Sequence, residues 1–142
     1  MSVRPALAKL NHSDVRQRRR AVRYLFELND PEALNGFEKL LDDPDPWFRE
    51  KALQAIEKWA ASKDLVLIEK LSQSRENTRR LLAARIAIRA GGAGQAILGK
   101  LSYDDEQNIR LAAWKARINS DDSSIAEAIV VQDRAVRRAV AQ

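Results

Sequence analysis

Cysteine is absent from this 142-residue chain. Disulfides and thiolate metal sites are therefore excluded, and the redox compartment stays open. Histidine occurs once, at His12, so neither a multi-histidine metal centre nor histidine-based acid–base catalysis is expected. Glycine (five) and proline (four) are scarce and fall almost entirely near the ends of the helices that the pattern suggests. No stretch approaches the roughly 18 consecutive apolar residues of a membrane span. The opening "MSVRPALAKL" lacks the apolar core of a signal peptide. These absences point to a cytoplasmic protein with no membrane partner, and the length suits a single domain over 1–142. The net charge of +5 suits an acidic partner or nucleic acid.

What is present is helical and repetitive. Ala, Leu, Arg, Glu and Lys are abundant, and no segment sustains strand alternation. An Arg-x-x-Ala spacing joins Arg18 to Ala21, Arg49 to Ala52, Arg80 to Ala83 and Arg110 to Ala113, with a weaker fifth copy at Arg138 and Ala141. Four residues before the first four anchors stand Asp14, Asp45, Glu76 and Glu106, acids that meet the positive end of a helix. Ahead of each anchor runs a shorter apolar pattern, such as Leu34, Phe37 and Leu40, or Leu65, Ile68 and Leu71. Each repeat reads as a short helix, a turn and a longer helix. Five pairs are expected, near 2–28, 31–61, 63–91, 93–119 and 122–141. The alanine column belongs where helices approach most closely, since alanine permits axes about 8–10 Å apart. The neighbouring column of Val22, Leu53, Ala84 and Trp114 fills the space beside it. "GGAG" at Gly91–Gly94 reads as the end of a long helix. It does not read as a phosphate loop, because no strand precedes it and no Gly-Lys-Ser/Thr follows.

The segment "LLDDPDPWFREKALQAI", residues 40–56, resembles the second-helix signature of HEAT-type repeats, most of all the phycobilisome-lyase-like variant with an acid–proline turn before Arg-x-x-Ala. The resemblance implies a right-handed, all-α solenoid of about five helical pairs, with the arginine-bearing helices lining a concave face. It also implies an inter-repeat ladder built on an Asp six residues before the Arg. Asp43 with Arg49 and Asp104 with Arg110 match that spacing. His12, Ser74 and Gln132 stand at the other places, so the ladder is expected to be broken. The anchor arginines are read as structural.

Trp47 is the anomaly. Its repeat equivalents are Arg16, Thr78 and Asn108, all polar, and it shares a helical side with Lys51, Gln54 and Lys58. Trp59 instead follows Phe48, Ala52 and Ile56 at core spacing. Residues one, five and nine after each anchor form a net-positive stripe that includes Arg19, Arg23, Arg85, Arg89 and Lys115, with Arg16 strengthening its first layer. Such columns engage carboxylates or phosphates. The binding residues expected are Trp47, Arg16, Arg19, Arg23, Arg85, Arg89 and Lys115. No catalytic residue, metal ligand or cofactor is assigned, because the acids account for themselves as caps and surface pairs and Asp42, Asp43 and Asp45 lack EF-hand spacing. A scaffold for an acidic protein or peptide is the leading reading. Nucleic acid is the alternative that the charge suggests. The family variant adds a phycobilin lyase subunit, or a factor that handles bilin pigment proteins.

Overall fold

In the computed structural model the described residues are 3–120, Arg138 and Val140. They form α1 (Val3–Lys9), α2 (Val15–Leu28), α3 (Leu34–Glu38), α4 (Pro46–Trp59), α5 (Leu65–Ser72), α6 (Asn77–Ile86), α7 (Gly91–Leu101) and α8 (Gln107–Ser120). Short 3-10 turns at Pro31–Ala33, Lys39–Asp42, Ser62–Asp64 and Ala87–Ala90 join them, and no strand occurs among the described residues. The fold is all-α among the described residues, and four helical pairs follow the expected spacing. The expected fifth pair, 122–141, lies outside the described residues apart from two positions. The chain divides into two compact units, Met1–Ala60 and Ala61–Gln142.

Helix starts follow from short acidic caps. Asp14 accepts from the backbone N–H of Arg16 at 2.9 Å, and Asp45 accepts from that of Trp47 at 2.9 Å. Pro46 sits in the first turn of α4, where its missing N–H costs nothing. Glu76 holds the equivalent place before α6 but makes no side-chain cap. Its longer side chain instead pairs with Arg79 at 3.1 Å. The acid column therefore carries two roles.

In the first unit an aromatic triad forms the centre. Phe26 lies 5.2 Å from Phe37 and 5.3 Å from Trp59, and Phe37 lies 5.6 Å from Trp59. The Trp59 indole N–H donates to Asn29 Oδ1 at 2.8 Å. Asn29 can present that oxygen because it ends α2 in the left-handed region, at φ 53°. In the second unit Trp114 is fully buried, with Ile118 and Val140 packed against it, and its indole N–H donates to the Ser102 carbonyl at 2.9 Å.

The alanine column is buried in every described repeat, at Ala21, Ala52, Ala83 and Ala113. Of the adjacent column, Val22, Ala84 and Trp114 are buried while Leu53 is only half-buried. Ala52→Leu and Ala83→Leu are each expected to cost about 1–3 kcal/mol through overpacking. Thermal melts check this, and parental melting in both variants would remove the column from the core.

One expectation needs correction. The GGAG stretch does not close α6; that helix stops at Ile86, and the glycines open α7. Gly91 takes φ 62°, which reverses the chain where an L side chain would be strained. The run Asn77–Leu101 spans 25 residues and holds an 18-residue window of mean hydropathy 1.2, but charged residues interrupt it and it contains no stretch of about 18 consecutive apolar residues. It is not one rod, because the 3-10 turn and Gly91 break it into α6 and α7.

Candidate functional site

The anchor arginines bind the turns between helices. Arg49 Nη1 donates to the carbonyls of Asp43 (2.7 Å) and Pro44 (2.9 Å), and Arg110 Nη1 to those of Asp104 (2.8 Å) and Asp105 (2.9 Å). Each thus closes the loop ahead of its own helix. The aspartate side chains turn the other way, to the anchor of the preceding pair. Asp43 pairs with Arg18, and Asp104 takes Arg80 in a two-pronged contact at 2.8 and 3.2 Å. Spacing alone pairs each Asp with the Arg six residues on; the fold adds a carboxylate rung one repeat back.

The same column has a second task in all four described repeats. Asp43 Oδ1, Asp104 Oδ1, Ser74 Oγ and His12 Nδ1 each accept from the backbone N–H two residues later, at 2.9, 3.0, 3.2 and 2.9 Å. His12 and Ser74 therefore keep the turn while supplying no carboxylate. The expected break in the ladder concerns charge, not turn geometry.

Burial pushes the Asp43 carboxyl up. The Asp45 backbone N–H, the Arg18 hydrogen bond and the charges of Arg18 and Arg49 outweigh it and hold the group below the usual carboxylate range. Asp104 is likewise raised by burial but lowered further by Arg80, the Glu106 N–H and Arg110. The Asp104 hydrogen bond raises Arg80 against the opposing effect of burial. These are structural ion pairs.

The sequence anomaly sits one helix turn away. Trp47 is half-buried on α4, with its ring edge-on to buried Phe48 at 5.0 Å. Three cations stand over that indole: Lys51 Nζ at 5.3 Å, the Arg19 guanidinium at 5.4 Å and that of Arg23 at 6.0 Å. Within cation–π range each such contact is worth about 0.5–1 kcal/mol at an exposed site. Arg18 lies underneath, over the Phe48 ring at 4.0 Å. The arginines of α2 reach α4 because positions 16, 19, 20 and 23 share one helical face. Arg16 is exposed at the start of that face.

Of the expected binding residues, the fold thus gathers Arg19 and Arg23 at Trp47. Arg85, Arg89 and Lys115 are exposed in the second unit. Lys51 belongs at the site too. The i, i+4 spacing from Trp47 signals it, but the repeat-based stripe omits it because it follows its anchor by two residues.

A HEAT-repeat family profile matches residues 3–89, more than half of the chain. The chain belongs to the HEAT-repeat family. HEAT repeats commonly act as protein-interaction scaffolds. No curated protein matches this HEAT-repeat chain.

Proposed function

We propose that this HEAT-repeat protein is a non-catalytic scaffold that binds a protein or peptide of acidic character. The basic face of α2 and α4 is the primary contact, with Trp47 as anchor and Arg16, Arg19 and Arg23 around it. Arg85, Arg89 and Lys115 supply further basic surface on the second unit. The observation that carries this reading is the half-buried indole with three cations over it. An aromatic beside arginines is the composition of interface anchors, and like charges brought together favour an anionic partner. The finer resemblance, to the phycobilisome-lyase-like variant, rests on the acid–proline turn at residues 42–46 and would make the partner a bilin-bearing protein.

Trp47→Ala is expected to lower the melting temperature modestly, through the lost cation–π and Phe48 contacts, and to weaken partner binding by about 1 kcal/mol or more. The test is paired affinity capture from the source cells with wild type and Trp47→Ala. A protein retained by wild type and depleted with the variant is the expected result. Retention of nucleic acid, in a strongly salt-dependent manner, would replace this reading by the nucleic-acid one. A pigment absorbance in the captured protein would select the bilin partner.

A further inference from the structure

Opposite charge is in short supply around Trp47. Arg23 and Lys51 have no acid within ion-pair distance among the described residues. Arg19 has one loose partner, Asp45, at 3.6 Å. Lys51 donates to a neutral oxygen, Gln54 Oε1, at 3.4 Å, and the Gln54 amide turns to Glu50 at 3.5 Å. Arg19 Nε is buried with no hydrogen-bond partner. A buried donor left unmade is costly, and three like charges over one ring repel one another. The repulsion is relieved by the arrival of an anion at the exposed guanidinium and ammonium ends, whereas Arg19 Nε, being closed to solvent, stays out of its reach.

The size of the deficit indicates which anion. Three positive groups meet one ring, and Asp45 offsets part of one of them. A carboxylate brings a single charge and two oxygens. A phosphate monoester brings about −1.5 to −2 charges near neutral pH and three strong acceptor oxygens. Guanidinium groups match phosphoryl oxygens with paired N–H donors. The Trp47 ring gives the group beside the phosphate an apolar floor.

We propose that the Trp47 cluster of Arg19, Arg23 and Lys51 is a recognition site for a phosphorylated serine or threonine in a partner peptide, with an apolar residue next to it lying on the indole. This rests on the reading of the α2/α4 face as a protein-binding surface and names the group that it takes.

The test uses the full chain and a short peptide of sequence type acidic–phosphoserine–Leu, measured by calorimetry at moderate salt. Its glutamate counterpart, the unmodified serine peptide, inorganic phosphate and a short single-stranded oligonucleotide are measured alongside. The phosphopeptide is expected to bind about tenfold tighter than the glutamate peptide, as a doubly charged anion with three acceptors should. Arg19→Gln and Lys51→Gln should each erase most of that preference, while Lys39→Gln, which removes an equal charge from another element, should not. Circular dichroism confirms that each variant is folded. Equal affinity for the phosphoserine and glutamate peptides would overturn the phosphate assignment and leave the acidic-partner reading standing. Inorganic phosphate binding as tightly as the phosphopeptide would overturn it as well, since the peptide would then add nothing. Tighter binding of the oligonucleotide would overturn both readings.

Discussion

Replacing Asp104 with Ala is expected to cost the second unit about 2–4 kcal/mol, the penalty for removing one partner of a largely buried ion pair. Arg80 and Asp104 expose only 15% and 10% of their side chains. Arg80 keeps its bonds to the Ser74 and Arg75 carbonyls, both at 3.0 Å, and to Asn77 Oδ1 at 2.9 Å. It loses both carboxylate contacts, and the Glu106 N–H loses its acceptor. Asp104→Asn retains that turn acceptor and one contact to Arg80, losing the charge and the acceptor of Arg80 Nε, so it should cost less than Asp104→Ala. The pH dependence has a definite sign. The folded carboxyl titrates lower than the unfolded one, so its stabilisation is complete above the unfolded value and is lost as pH falls through the folded one. The gap between wild type and Asp104→Asn in urea titrations should therefore narrow below about pH 4. A gap that stays constant to pH 2 would show that the pair contributes nothing through charge.

Gly94→Ala is expected to be the other severe change. A Cβ there would stand 1.8 Å from the Ala87 carbonyl oxygen and 2.8 Å from its carbon. Both are backbone atoms, so α7 must move off the 3-10 turn that precedes it. The cost should reach the upper part of the overpacking range, about 3 kcal/mol. Gly92 and Gly99 have open space at the same position. Alanine at either should be neutral or stabilise by up to about 1 kcal/mol, since glycine is a poor helix former. Denaturant midpoints of the three variants check the contrast. Similar midpoints for Gly94→Ala and Gly92→Ala would refute the close approach.

The repeat frame was legible because two periodicities coincide. Arg-x-x-Ala recurs at the layer spacing, and each alanine lies on the apolar side of its helix. The helical pairs at 2–28, 31–61, 63–91 and 93–119 follow directly. The direction of the Asp43 and Asp104 side chains was not legible, because a carboxylate six residues before an arginine can face its own repeat or the previous one. Burial beside Arg18 and Arg80 decides it. His12 and Ser74 looked like gaps in a ladder, yet a ring nitrogen and a hydroxyl accept the same turn hydrogen bond as a carboxylate. GGAG was misread because glycine signals a helix end more often than a helix start. Here the crowding at Ala87 requires Gly94 inside the helix. At the site, comparison down the repeat column found Trp47, and the stripe found Arg19 and Arg23. Lys51 was legible from its i, i+4 spacing to Trp47, but the repeat stripe passed over it.

Solvent exchange of the three indole N–H protons tests the central claim, that Trp47 is an accessible anchor and not part of the core. Trp59 and Trp114 are 5% and 0% exposed, and their indole N–H groups are hydrogen-bonded to Asn29 and the Ser102 carbonyl. Trp47 is half-buried and makes no such bond among the described residues. Proton–nitrogen correlation spectra after transfer to deuterated water, with the Trp47 signal assigned by Trp47→Phe, resolve all three. Loss of the Trp47 signal about 100-fold or more faster than the other two is the predicted result, as expected for a group open to solvent beside groups that need local unfolding. Protection of Trp47 equal to that of Trp59 and Trp114 would place the ring in the core and contradict the account.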